Sequence, residues 1–145
     1  MKTHYTLGFL FSNDFKKVVL IKKKRPTWQA GRLNGVGGHM EEGERPEFCM
    51  YREFHEEIWY NFLSAPTWKE YARLESEDFV VDCFATTGQV DACNARTDEE
   101  IVIIDTELIH SMRIYDMVEN VPWLVSMAID FLKDGRPSFA TIKYE

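Results

Sequence analysis

The sequence predicts an α/β sandwich in which a mixed β-sheet lies between two helices. Three observations carry that expectation. Two long segments, residues 46–60 and a stretch starting near Val121, set apolar residues at helical steps. Around them run extended-type stretches, among them the short apolar runs at 18–21 and 101–104, of which the first suits a strand buried on both faces. The order is strand, strand, short strand, helix, three strands, helix, strand. Two long helices are too few for a doubly wound sheet or a barrel, so one sheet between two helices is the economical packing.

Residues 3–11, rich in Tyr, Thr, Leu and Phe, read as the first strand. Ser12, Asn13 and Asp14 supply turn chemistry, and residues 16–23 return as the second strand of a hairpin. Residues 26–32 form a loop holding Trp28 and Gly31; 33–36 make a brief strand closed by Gly37 and Gly38. A second turn at 41–44 leads to Pro46, which suits the first helical position because its missing N–H would be unpaired there anyway. Glu44 and Glu47 suit the positive end of that helix, expected to run to about Tyr60 with Asn61 as a left-handed cap. Pro66 marks the next loop.

Strands follow at 68–74 and 79–86 around the acidic turn 75–78, then a polar loop at 88–100, the strand 101–104 and one helical turn at 106–109. In the second helix Trp123, Leu124, Met127, Ala128, Phe131 and Leu132 recur at three- and four-residue steps. Asn120 is its expected cap, Pro122 sits just inside, and Gly135 and Pro137 end it before a last strand at 138–144.

With 145 residues the chain is expected to form one domain, residues 1–145, with a sizeable core. No apolar run approaches the length of a membrane span and no signal-peptide pattern is present, so the cytoplasm is the expected compartment. Three cysteines, Cys49, Cys83 and Cys93, are an odd number at unrelated spacings, which argues against a disulfide framework or a cysteine zinc site. A net charge of −7 disfavours broad binding to nucleic acid or anionic membrane. The basic run 22–25 either solvates a strand end or, through Lys24, touches a ligand phosphate.

Chemistry concentrates between Gly38 and Glu57. On a helix Glu53, Glu56 and Glu57 are related by i, i+3 and i+4, so they share one face, with Phe48, Tyr51, Phe54 and Ile58 on the other. Like charges so spaced repel, and no lysine is interleaved. A hard divalent cation would relieve the repulsion; a solvated acidic face is the alternative. His55 lacks the second histidine of a His-Glu-x-x-His zinc helix.

Gly38, Glu44, Arg52, Glu53, Phe54, Glu56, Glu57 and Tyr60 resemble the signature of the Nudix hydrolase family, Gly-x5-Glu-x7-Arg-Glu-U-x-Glu-Glu-x-Gly-U, with U bulky and apolar. Six of the seven fixed positions agree, an outcome expected by chance in about one chain in 10⁵ at ordinary residue usage. The departure is Trp59 where the family has glycine, which leaves open how the chain exits the helix. The run 31–38 is similar to that of the MutT-type triphosphatases that remove oxidised purine nucleotides.

The resemblance implies a Nudix α/β/α sandwich over nearly the whole chain and hydrolysis of a nucleoside diphosphate linked to a group X. It implies Mg²⁺, with Mn²⁺ as a substitute, held by Glu53, Glu57, Glu56 and the Gly38 carbonyl, with Arg52 fixing a glutamate and Glu44 pairing with Arg52 or fixing the loop. Glu99 is the candidate general base or extra metal ligand; its alternative is a solvated loop glutamate. For the base, Asn34 can both donate and accept or can simply be a turn residue. Trp28 and Trp123 are stacking candidates, Trp123 also fitting a core position, and Asn120 lies nearby. The expected substrate is a (d)NTP, with an oxidised purine (d)NTP as one form. ADP-ribose, NADH, dinucleoside polyphosphates and a catalytically silent nucleotide-binding module are the alternatives. A homodimer stays open.

Overall fold

The computed structural model describes residues 2–113, 116–134 and 139–145. Its strands are β1 (Thr3–Ser12), β2 (Lys17–Lys22), β3 (Leu33–Asn34), β4 (Val36–His39), β5 (Ile58–Tyr60), β6 (Lys69–Glu75), β7 (Phe79–Gly88), β8 (Cys93–Ala95), β9 (Glu100–Asp105) and β10 (Ala140–Lys143). The helices are α1 (Pro46–Glu57) and α2 (Val121–Asp134).

Eight strands make one mixed sheet in the order β10-β6-β7-β1-β2-β3, with β4 also paired to β1 and β9 to β2. β1 runs parallel to β7 and β10 parallel to β6; the other pairs are antiparallel. β5 and β8 form a separate two-stranded ladder.

The two apolar layers follow from the two-residue alternation of strands. Leu7, Phe9 and Phe11 of β1 and Val18 and Leu20 of β2 pack with Val121, Leu124, Val125 and Ala128 of α2. Leu10, Val19 and Ile21 project the other way and pack with Met50 and Phe54 of α1. The continuous run at 18–21 is thus buried on both faces, as its sequence implies. Tyr71 closes the α2 layer by donating its hydroxyl to the Leu124 carbonyl at 2.9 Å.

On the α1 face, across β1, β7 and β6, the sheet carries a charged cluster. Asp82 is fully buried and accepts from Arg73 Nε at 2.9 Å and from His4 Nε2. Its own burial works against ionisation, but bonds from Glu70, Arg73 and His4 outweigh that and hold its carboxyl below the usual range. Glu70 bears the cost: burial, and then the Asp82 carboxylate beside it, push its pKa up to about 8.

Several expectations need correction. α1 stops at Glu57 rather than near Tyr60: Ile58 is already extended (φ −126°, ψ 127°) and opens β5. Asn61 has no left-handed conformation; the only non-glycine at positive φ among the described residues is Phe15. Residues 88–100 are not simply a loop, since they hold a 3₁₀ turn at Val90–Ala92 and β8. The buried side of α1 is Cys49, Met50, Glu53 and Phe54, whereas Phe48 and Tyr51 are about half exposed. The carboxylates therefore lie against the sheet edge rather than opposite the core, because glycines in β4 leave room for them. Asn120 does not cap α2 with its side chain: its Oδ1 has no partner, while its carbonyl accepts from Leu124 N–H at 3.0 Å. Gly135, Pro137 and Ser138 lie outside the described residues.

Candidate functional site

The site forms where α1 crosses β4. Gly43, at φ +77°, turns the chain, and Glu44 braces the turn by accepting the Glu41 N–H at 3.0 Å. Pro46 then opens α1, with Glu47 in the first turn. Glu53 and Glu57, one turn apart, face the glycines. A Cβ on Gly38 would lie 2.5–2.6 Å from the Glu53 carboxylate, and one on Gly37 would lie 2.0 Å from the Thr6 carbonyl oxygen. Only glycine lets β4 pair with β1 and receive the glutamate together. Gly37 N–H points at Glu57 Oε2 at 3.4 Å.

Arg52 is the hub. It forks onto Glu44 (Nε to Oε2 2.8 Å, Nη2 to Oε1 2.9 Å) and donates to the His39 carbonyl at 2.9 Å. It also donates to Glu53 at 3.0 Å and to both oxygens of Glu56 at 3.2 Å. The Glu44 fork is the geometry in which guanidinium and carboxylate bind most strongly. Those bonds hold the Glu44 pKa at about 2, against a smaller effect of burial, and raise that of Arg52. Because Arg52 sits between Glu53 and Glu56, no three His, Cys, Asp or Glu side chains among the described residues are gathered as a ready-made ion site. Glu56 instead faces an open groove of about 610 Å³ with Tyr51, His55 and Arg96.

Glu53 and Glu57 are the charge-stressed pair. Burial raises the Glu53 pKa, with Arg52 opposing. Burial raises that of Glu57 to about 7, opposed by Lys23 and reinforced by Glu53 and Glu99. Glu99 is 5% exposed, so it is not a solvated loop glutamate. It accepts Lys23 Nζ at 3.1 Å and the Lys24 N–H at 2.6 Å. Burial alone would raise its pKa, but those two donors outweigh burial and keep it ionised. Oxygen donors, surplus negative charge and a glycine-lined gap fit a hard divalent cation.

Lys24 takes the solvated placement that was one of the two readings of the basic run. Its ammonium is exposed and 3.8 Å from Asp98, while Lys23 reaches the site. Strand alternation is the signal that was available: Lys23 shares a face with Val19 and Ile21, which pack on α1, and Lys24 does not. Asn34 donates Nδ2 to Gln29 Oε1 at 3.0 Å and accepts the Gly35 N–H at 2.8 Å. Trp28 is exposed in the 3₁₀ turn Thr27–Gln29. Trp123 packs on the α2 layer, and Asn120, two residues beyond the Val118 whose N–H bonds the Leu33 carbonyl, donates to the Tyr144 hydroxyl at 3.3 Å. Neither is brought to the carboxylates.

The end of α1 also differs from a glycine exit. Trp59 pairs with Asn94 across the β5–β8 ladder. Arg96 donates its backbone N–H to the Glu57 carbonyl and Nη1 to the His55 carbonyl, both at 3.0 Å, and its guanidinium lies 4.9 Å from the centre of the Trp59 ring. The last helical carbonyls are thus satisfied by a cationic residue, and Trp59 needs no unusual backbone angle.

The chain matches the NUDIX domain over residues 2–123. It belongs to the Nudix family. Nudix proteins of this kind are pyrophosphohydrolases that generally use a divalent metal, and the mixed sheet between α1 and α2 is the Nudix α/β/α sandwich. Solved structures share the fold at low identity. A MutT structure from a study of the Aliivibrio salmonicida and Vibrio cholerae proteins is 21% identical, covers 90% of this chain and 100% of its own, and superposes with a TM-score of 0.69. The NUDIX domain of Shewanella oneidensis NrtR, complexed with ADP ribose, is 17% identical, with 91% and 89% covered and a TM-score of 0.72. The MutT protein of Bacillus halodurans is 16% identical, with 98% and 90% covered and a TM-score of 0.68. No curated protein matches the sequence. No helix among the described residues is long and apolar enough to cross a membrane.

Proposed function

We propose that residues 1–145 act as one Nudix domain, a cytoplasmic, Mg²⁺-dependent hydrolase that cleaves a (d)NTP to (d)NMP and pyrophosphate, a purine nucleotide being the preferred form. The observation that carries this reading is the facing of a buried carboxylate, Glu53, and a half-buried one, Glu57, onto the Gly37–Gly38 backbone beside the Lys23–Glu99 pair. Glu53, Glu57 and the Gly38 carbonyl would hold Mg²⁺, with Mn²⁺ as a substitute and Glu56 joining once released from Arg52. A bound divalent ion neutralises phosphate charge and makes a bound water more acidic.

The chain's own residues account for the rest. Arg52 holds Glu53 and the Glu44 turn in register, so the carboxylates do not splay apart. Lys23 supplies positive charge where a polyphosphate would lie. Water adds to one phosphorus, the anhydride P–O bond breaks, and the bridging oxygen leaves on the other phosphate. Glu99, held ionised by its donors, suits a metal ligand or charge-holder better than a base, since a base works best with a pKa near the working pH.

A panel with Mg²⁺ tests this: canonical and oxidised dNTPs, ADP-ribose, NADH and diadenosine polyphosphates, following pyrophosphate against orthophosphate. Pyrophosphate release from dNTPs, lost in Glu57→Gln and strongly cut in Glu99→Gln, is expected. ADP-ribose cleavage in preference to every dNTP would transfer the reading to the ligand class of the Shewanella domain. No hydrolysis by folded protein would leave a silent nucleotide-binding module.

A further inference from the structure

Gln29 lies in the short turn Thr27–Gln29, is only 9% exposed, and the mechanism above makes no use of it. Its orientation is fixed by a chain of donors. The Gly35 backbone N–H can only donate, so the Asn34 atom facing it at 2.8 Å must be Oδ1. That turns Asn34 Nδ2 towards Gln29, and the Gln29 atom facing Nδ2 at 3.0 Å must be the acceptor Oε1. The NH₂ group of Gln29 is therefore the end left over. It bonds no described residue, and it is not among the enclosed unpartnered atoms of the described residues, which are His55 Nε2, Trp68 Nε1, Glu70 Oε2 and Asn120 Oδ1. A nearly buried amide thus presents two N–H donors, and Asn34 Nδ2 keeps a second hydrogen beside them.

This edge lies on the catalytic face. Asn34 pairs directly with Ile21, so the two side chains share a face of the sheet. Ile21 packs on α1, and Lys23, two residues further along, reaches the carboxylates. Exposed Trp28 adjoins Gln29 in the same turn and offers a ring on which a base can stack.

We propose that Gln29, locked by Asn34, determines base specificity: it selects a nucleotide whose base presents acceptors, a 6-oxopurine, over adenine. Guanine and hypoxanthine carry two adjacent acceptors, O6 and N7, on one edge, which match two donors. Adenine carries an N6 amino donor there, so donor meets donor. The inference rests on the nucleotide-hydrolase reading for its substrate, but its binding preference is measurable without turnover.

Two readouts are compared for wild type, Gln29→Glu and Gln29→Met, each verified by its circular dichroism melt. The first is kcat/KM with Mg²⁺ for dGTP and dITP against dATP. The second is calorimetric binding of GMP and IMP against AMP without metal. Wild type should favour the 6-oxo nucleotides by roughly tenfold or more, the scale of one or two hydrogen bonds. Gln29→Glu keeps an acceptor for Asn34 but turns the outward donors into an acceptor, so the preference should fall by at least about tenfold and move towards adenine. Gln29→Met removes both functions, and the ratio should collapse towards one. Unchanged ratios in Gln29→Met, with hydrolysis intact, overturn the role of Gln29 and leave the hydrolase reading standing. A 6-oxo binding preference lost in the variants without any hydrolysis supports Gln29 and sinks the hydrolase reading. Neither binding nor hydrolysis of any purine nucleotide overturns both.

Discussion

Replacing Arg52 by alanine in metal-free protein tests whether one guanidinium holds the glutamates of α1 together. Five of its bonds go to carboxylates, but they are not equal. The Glu56 side chain is more than half exposed, so its share is small. Glu44 and Glu53 keep only 14% and 12% of their side-chain surface, and both lose their cation in Arg52→Ala. Breaking a buried pair by removing one partner costs about 3–5 kcal/mol, and Arg52, a quarter exposed, belongs at the low end. The expected loss is about 3 kcal/mol, or roughly 10 °C in Tm for a chain of this size. Arg52→Lys keeps the charge, loses the fork, and should cost about half as much. Urea unfolding followed by tryptophan fluorescence in excess chelator measures both. Adding Mg²⁺ should recover part of the loss, because the orphaned carboxylates gain a cation. A loss below about 1 kcal/mol in Arg52→Ala would show that the network is surface decoration and that the carboxylates keep their places without it.

Other outcomes are expected from the same geometry. Gly38→Ala inserts a methyl 2.5–2.6 Å from the Glu53 carboxylate, so turnover should fall by more than tenfold while stability falls by only about 1–3 kcal/mol; paired kinetic and melting measurements check this. Trp59→Gly restores the family residue but removes a strand side chain and the Arg96 stack, and should cost about 1–2 kcal/mol in urea unfolding without raising kcat. Glu70 gives the pH dependence. Its folded pKa of about 8 exceeds the usual 4.5, so the native chain retains a proton that the unfolded chain has lost. Stability should decline as pH climbs from 4.5 through 8, with Glu57 contributing up to about 7, and Glu70→Gln should reduce that decline, most of all above pH 7, in a series of melts at fixed ionic strength. An unaltered slope in Glu70→Gln would place the titration elsewhere.

The layered fold was legible because its signals are local. The run at 18–21 announces a strand buried on both faces, and the three- and four-residue steps after Val121 announce α2. The carboxylate register was legible too, since Glu53 and Glu57 need only helical geometry to align. Which side of α1 is buried was not, because that depends on two glycines in β4 making space for a charged residue, against the ordinary rule that apolar faces turn inward. That Lys23 turns to the α1 face follows from strand alternation, but only once Ile21 is assigned to that face. Gln29 and Arg96 carried no local signal. Each matters through a partner in another segment, Asn34 in one case and Trp59 with the Glu57 carbonyl in the other, and such pairings appear only when the chain is folded.

The helix exit has a further consequence. In α1 the last turn, which carries Glu57, is zipped by β5 to β8, and β8 leads within a few residues to Glu99. Arg96 rivets the join from both backbone and side chain. The two sides of the candidate site are therefore joined through one short ladder. Moving Arg96 and β8 away from the end of α1 would unzip three residue pairs and lift a guanidinium off an indole.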